Sequence, residues 1–258
     1  MSRLEVEDLT VKYRSGRHER IAVDRVSFAV AAGGTLGIVG ESGSGKTSLA
    51  GAVAGIVPTA GGRVSIGRRA AGRQLRRHPV QTVFQDPYGS LNPRMAVGDA
   101  IAEGVRAGGR SGAAVRTAVS EWLEAVGLDP RTASARPGGL SGGQCQRIAI
   151  ARALAADPEV LIADEITSAL DVSVQGSVLN LVRAKQRELG FTLVVISHNL
   201  AIVRFLAEDL AVMHEGRLVE RGATQDVLSA PQDPYTRSLI DAVPVLGGSR
   251  PASNGDRQ

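Results

Sequence analysis

The stretch Gly40-Glu41-Ser42-Gly43-Ser44-Gly45-Lys46-Thr47 constrains this chain more than any other. It follows Thr35-Leu36-Gly37-Ile38-Val39, a short apolar run suited to a strand buried on both faces, and it leads into a helical pattern. Glycines at this spacing let successive backbone N–H groups wrap a phosphate, and the positive end of the following helix adds to the attraction. In the pattern G-x4-G-K-[ST], Lys46 is expected to meet the β- and γ-phosphates of a nucleotide, and the Thr47 hydroxyl to ligate Mg²⁺. Gly40, Ser42, Gly43, Ser44, Gly45, Lys46, Thr47 and Ser48 are therefore the first candidate binding residues. The bland alternative is a glycine-rich turn with a solvated lysine, and the strand–loop–helix context argues against it.

A strand buried on both faces needs neighbours. Further apolar runs lie at Gln81–Phe84, Val160–Ala163 and Thr192–Ile196, with helical segments between them. This order predicts an α/β fold with a mostly parallel central sheet. Ahead of it, Leu4, Val6, Leu9 and Val11 alternate with polar residues, and a second strand region runs from Ile21 to Val30. From Asp86 to Pro158 the pattern turns helical, near Val97–Val105, Ala113–Val126 and Ser141–Ala155, and reads as an insertion in the α/β core. Asp209–Met213 and Arg217–Glu220 read as a hairpin turned at Glu215-Gly216. Residues 247–258 are small and polar, and are expected to form a disordered tail.

Composition narrows the classes. With 258 residues, 43% hydrophobic and 22% charged, the chain has enough apolar material for a sizeable core. The single cysteine, Cys145, excludes an internal disulfide and a cysteine zinc site. No run of about 18 apolar residues exists to cross a bilayer, and the N-terminus is too acidic and too alternating for a signal peptide. The expectation is a soluble cytosolic protein. The pI of about 9.7 accompanies a net charge of only +4. The stretch Arg63, Arg68, Arg69, Arg73, Arg76 and Arg77 is read as a solvated loop rather than a nucleic-acid surface.

Val160-Leu161-Ile162-Ala163-Asp164-Glu165 is an apolar strand ending in two carboxylates. Following a phosphate loop, the pair divides into Asp164 for Mg²⁺ and Glu165 for orienting the attacking water. Leu140-Ser141-Gly142-Gly143-Gln144 precedes a helix and offers a second anion site from a serine hydroxyl, glycine N–H groups and a helix N-terminus. A plain helix cap is its bland reading. One chain thus carries two phosphate-binding loops and one carboxylate pair, which points to a dimer in which each nucleotide is closed by the partner's second loop.

In this order the motifs resemble those of ABC-transporter ATPase subunits, over residues from about 4 to 243. The resemblance implies a P-loop NTPase (RecA-like) core with an N-terminal antiparallel β region, and a helical subdomain at about 88–157 within an ATPase domain of residues 1–246. It implies ATP and Mg²⁺ as cofactors, and catalytic roles for Lys46, Gln85, Glu165 and His198, the switch histidine. Gln85 also counts as a magnesium and nucleotide ligand beside Thr47 and Asp164, reporting γ-phosphate occupancy to a membrane subunit. Tyr13 sits where the family stacks an aromatic on adenine. Ser141, Gly142, Gly143 and Gln144 match the signature motif, and Ser168-Ala169-Leu170-Asp171 the D-loop, with Asp171 at the nucleotide site.

Two local stretches are similar to the dipeptide, oligopeptide and nickel importers: Phe84-Gln85-Asp86-Pro87-Tyr88-Gly89-Ser90-Leu91-Asn92-Pro93-Arg94-Met95, and Pro234-Tyr235-Thr236-Arg237-Ser238-Leu239 followed by Val243-Pro244. That resemblance implies uptake of peptides or nickel and other metal chelates, pairing with a second ABC ATPase as a heterodimer, two integral membrane permeases, an extracytoplasmic solute-binding protein, and residence at the cytoplasmic face of the cell membrane. The alternative is a soluble ABC ATPase acting on nucleic acid or in cofactor assembly. A long coiled coil, zinc cysteines or duplicated ATPase halves would favour it, and the sequence has none, so no nucleic acid is expected as partner. Ile166, Cys145 and Asn199 depart from the family pattern, which usually has proline, arginine and an acid there, without removing a catalytic group.

Overall fold

The computed structural model describes residues 4–15, 18–67, 69–70 and 79–242. The predicted tail at 247–258, Val243-Pro244, and the side chains of Arg68, Arg69, Arg73, Arg76 and Arg77 lie outside the described residues.

Leu4, Val6, Leu9 and Val11 change phase half-way, from even to odd positions, so a regular strand would send them to opposite faces. The structure resolves the conflict with a bulge. Strand β1 (Leu4–Ser15) shifts register between Val6 and Leu9, where Asp8 takes a φ of 46°, and all four apolar side chains end up buried. β1 pairs antiparallel with β2 (His18–Val30). The chain then runs through β3 (Thr35–Val39) and the glycine loop into α1 (Lys46–Val53). β4 (Gly61–Ile66) pairs antiparallel with β1, and the short β5 (Arg69–Ala70) with β4, giving a four-stranded sheet in the order β2-β1-β4-β5.

β6 (Val80–Val83) returns to the central sheet, one residue earlier than the apolar run suggested, and leaves Phe84 exposed. Three helices stand between it and the next strand: α2 (Val97–Ala107), α3 (Ala113–Ala125) and α4 (Gly142–Ala155). They share a core of their own around Ile101, Leu123 and Ile148. The other side of α4, through Ile150 and Leu154, packs against the main sheet, so this helix is buried on two sides.

The rest alternates: β7 (Val160–Asp164), α5 (Val172–Leu189), β8 (Thr192–Ile196), α6 (Leu200–Leu206), β9 (Asp209–His214), β10 (Arg217–Ala223), α7 (Thr224–Ser229) and α8 (Pro234–Asp241). The central sheet has the order β10-β9-β3-β8-β7-β6, parallel except for β10, which forms the predicted hairpin with β9. All five residues of β3, β7 and β8 are buried, which is why their sequences show apolar runs rather than alternation. Because these strands are parallel, they deliver their carboxyl ends to one edge of the sheet: Gly40 after β3, Asp164 and Glu165 where β7 ends, and His198 after β8. Ligand sites of open α/β sheets form at such an edge.

Candidate active site

The loop after β3 is closed to side chains at two points. Gly40 has a φ of 155°, and a Cβ there would lie 2.1 Å from the Met213 carbonyl oxygen; Gly45 has a φ of 107°, and its Cβ would lie 2.2 Å from that of Ala22. At Gly43 the opposite holds, because a Cβ would meet nothing within 4 Å. The loop is thus pinned from below and open toward a cleft of about 920 Å³. Gly45 caps α1 without any side-chain acceptor, and no acid sits in the first turn, so the amides of this helix end are left for a ligand. An anionic group fits this cradle on the structure's own terms.

Lys46 is 6% exposed. Its ammonium donates to Gly40 O (2.8 Å), Glu41 O (2.7 Å) and Ser44 Oγ (3.2 Å), which uses all three of its donors. Burial holds its pKa below the usual lysine value, against the charges of Glu165, Asp164 and Glu41. Asp164, buried at the end of β7, behaves in the opposite sense: burial, then the Glu165 charge, push its carboxyl up, while a hydrogen bond from Thr47 and the Lys46 charge pull it down. The Thr47–Asp164 contact places a hydroxyl and a carboxylate together beside the loop. That donor set suits Mg²⁺, which takes few protein oxygens and completes its shell with water and phosphate. No group of three or more histidine, cysteine or acidic residues forms a separate metal cage among the described residues.

Glu165 adopts a left-handed φ of 50° just past the strand. Its amide donates to Ile196 O (2.9 Å), and its carbonyl accepts from both the Ser168 amide (3.0 Å) and the Ser168 hydroxyl (2.9 Å). The backbone is therefore fixed on both sides, and the carboxylate meets His198 Nδ1 at 3.0 Å. A carboxylate next to a strand end, oriented by an imidazole, is poised to align a water.

Gly40, Ser42, Gly43, Gly45, Lys46, Thr47 and Ser48 line the cleft together with Tyr13, Gln85, Glu165 and His198, while Ser44 and Asp164 are buried beneath it. Tyr13 is half-exposed at the rim, its hydroxyl 3.2 Å from Ser48 Oγ. Ser141, Gly142, Gly143, Gln144 and Asp171 are not part of this wall. They lie together elsewhere: Gly142 faces Leu170, and a Cβ on Gly143 would press into Val174, near the start of α5. Tyr88 adds a tie, its hydroxyl donating to Leu140 O at 3.0 Å.

Arg20, Ala22, Glu41 and Leu239 also line the cleft, and the sequence reading did not single them out. Of the departures noted above, Ile166 is buried in the core under the Glu165 turn, Cys145 is buried with its thiol 3.6 Å from Pro137 O, and the Asn199 side chain caps α6 by accepting from the Ala201 amide at 2.9 Å.

The family profile described as ABC transporter matches residues 23–168, more than half of the chain. The chain belongs to the ABC transporter family. As an ABC ATPase it binds and hydrolyses ATP. It is 43% identical over 255 residues to a peptide import ATP-binding protein of Brucella abortus (strain 2308), covering 95% of this chain and 76% of that relative. It is 45% identical over 261 residues to a glutathione import ATP-binding protein of Salmonella typhimurium, but spans only 42% of that longer protein. Among solved structures, a dimeric ATP-binding cassette in a post-hydrolysis state with ADP and Pi superposes with a TM-score of 0.76 at 27% identity, over 86% of this chain and 98% of that one. No helix among the described residues of this ABC ATPase is long and apolar enough to cross a membrane.

Proposed function

We propose that this ABC ATPase energises the import of peptides, working in a pair with a second ABC ATPase beneath two membrane permeases and supplied by an extracytoplasmic solute-binding protein. Peptide rather than nickel or another chelate is the cargo class that the names of the relatives support. The observation that carries the catalytic part is the convergence of Lys46 and the Glu165–His198 pair on one cleft, above the buried Asp164, from the ends of three parallel strands.

Lys46 keeps two of its bonds on loop carbonyls and turns the third, the long one to Ser44 Oγ, toward the triphosphate. Thr47 and Asp164 would hold Mg²⁺, which would supply a positive charge against the phosphate oxygens. Tyr13 packs on the base, and Gln85 senses the γ-phosphate. Glu165 orients the attacking water and accepts its proton, and His198 holds that carboxylate in place. Ser141, Gly142, Gly143 and Gln144, with Asp171, act on the partner's nucleotide, since they lie away from this chain's own cleft.

Coupling to the membrane falls to a groove of about 400 Å³ between the core and α2/α4, where Ile56 and Phe84 expose apolar surface beside Glu103 and Arg152. Apolar side chains in a rimmed groove suit a helix of a permease, which would hold the ATPase at the cytoplasmic face. Phe84→Glu is expected to abolish co-purification with the permeases while leaving ATP binding intact; unchanged co-purification would overturn this assignment.

A further inference from the structure

The C-terminal helix α8 reaches the phosphate loop across 194 residues of sequence. The Tyr235 hydroxyl accepts a hydrogen bond from the Glu41 amide at 3.0 Å. That amide belongs to the peptide unit joining Gly40 to Glu41, and the carbonyl of the same unit accepts from the Lys46 ammonium at 2.8 Å. A trans peptide is planar, with its N–H and C=O pointing in opposite directions. Fixing the N–H on Tyr235 therefore fixes the direction in which Gly40 O meets Lys46. The two bonds also polarise each other through the amide, since an ammonium on the oxygen makes the N–H a stronger donor.

The hydroxyl itself is held firmly. The Tyr235 ring stacks on His214, with centroids 3.8 Å apart and planes at 29°. His214 ends β9, next to Met213, whose carbonyl lies against Gly40. Asp233 caps α8 by accepting from the Tyr235 and Thr236 amides at 2.8 and 3.4 Å. The Glu220 carboxylate accepts from the Gln232 and Asp233 amides, anchoring the turn before the helix to β10. These contacts constrain Tyr235 before any ligand arrives.

We propose that Tyr235 is a positioning residue of the nucleotide site, orienting the Gly40–Glu41 peptide so that its carbonyl sets the place of the Lys46 ammonium. The C-terminal helix, outside the matched family profile, is then part of the ATP site. This rests on the ATPase reading above.

The test uses the full chain and Tyr235→Phe, which keeps the ring on His214 and removes only the acceptor. Two quantities are read: exchange of the Glu41 amide, and affinity for ATP·Mg²⁺. Loss of the acceptor should speed Glu41 exchange at least about tenfold while leaving the Arg237 amide, bonded within α8, unchanged. It should also weaken ATP binding about three- to tenfold, with the nucleotide-free melting temperature within about 2 °C of wild type. Unchanged ATP affinity overturns the proposal, whether or not Glu41 exchange accelerates. A loss of affinity matched by a comparable loss of melting stability also overturns it, because α8 would then be serving as general packing. Failure of the wild-type chain to bind ATP would instead count against the ATPase reading.

Discussion

The helix ends at α1 and α4 both carry glycine-rich phosphate-loop sequences, yet the structure leaves them in opposite states. At α1 the cap is Gly45, which offers no side chain, and the first turn has no acid, so the positive end of the helix opens on the cleft. At α4 a complete capping box closes the end: Ser141 Oγ accepts from the Gln144 amide at 3.3 Å, and Gln144 Oε1 accepts from the Ser141 amide at 2.9 Å. One end is built to hold an anion from the start. The other satisfies itself in the lone chain, and under the pairing proposed above it would have to give up part of that bonding to serve a phosphate on another chain. Similar loop composition does not fix readiness to bind; the residue at the cap position does.

The steepest loss is expected in the cleft on which the open end faces. Glu165→Gln should cut hydrolysis by about 10²- to 10⁴-fold while ATP-bound pairs accumulate, measured by phosphate release and size-exclusion chromatography; unchanged turnover would sink the assignment of this carboxylate. Lys46→Ala should weaken ATP binding by at least about tenfold in calorimetry, since a buried cation at the loop is lost. At the closed end, Ser141→Ala should lower stability by about 1 kcal/mol in denaturant unfolding, yet leave ATP binding to the isolated chain within about twofold. If that variant binds ATP as poorly as Lys46→Ala, the two ends do not differ as described.

The smallest effect concerns the floor of the cleft. Burial and the Glu165 charge hold the Asp164 carboxyl above its usual range, so the folded chain retains this proton more readily than the unfolded one. The contribution of this group to stability is therefore lost as pH rises from the ordinary carboxylate value through the raised one. Asp164→Asn should melt higher than wild type at neutral pH, with the gap vanishing in acid. A gap that does not change with pH would refute the electrostatic origin.

What the sequence revealed followed from how local the signal was. Gly40, Gly43, Gly45, Lys46 and Thr47 lie within eight residues, and their backbone demands can be read without knowing the rest of the fold. The buried strands were legible because burial on both faces leaves an unbroken apolar run, as at Val160–Asp164. Leu4, Val6, Leu9 and Val11 read as plain alternation, and the bulge between Val6 and Leu9 that keeps all four buried needed the partner strand. The strand order was not legible, because each parallel pairing joins segments far apart in the chain. Tyr235 and Leu239 escaped for the same reason: the turn chemistry around Asp233 is local, whereas their arrival at the cleft depends on where β9 and β10 place the helix. α4 hid its boundary with the main core by being apolar on both sides.

Cys145 sits at the first buried position of α4, 0% exposed, with burial raising its thiol pKa. A thiol that is neither accessible nor ionised reacts slowly with alkylating reagents and oxidants. Since it is the only cysteine in the chain, the unaltered chain already serves as a silent background for site-directed labelling. A reporter cysteine placed on the exposed face of α5 would be the only thiol of this chain to take a fluorophore or spin label, allowing the pairing proposed above to be followed without first removing a native thiol.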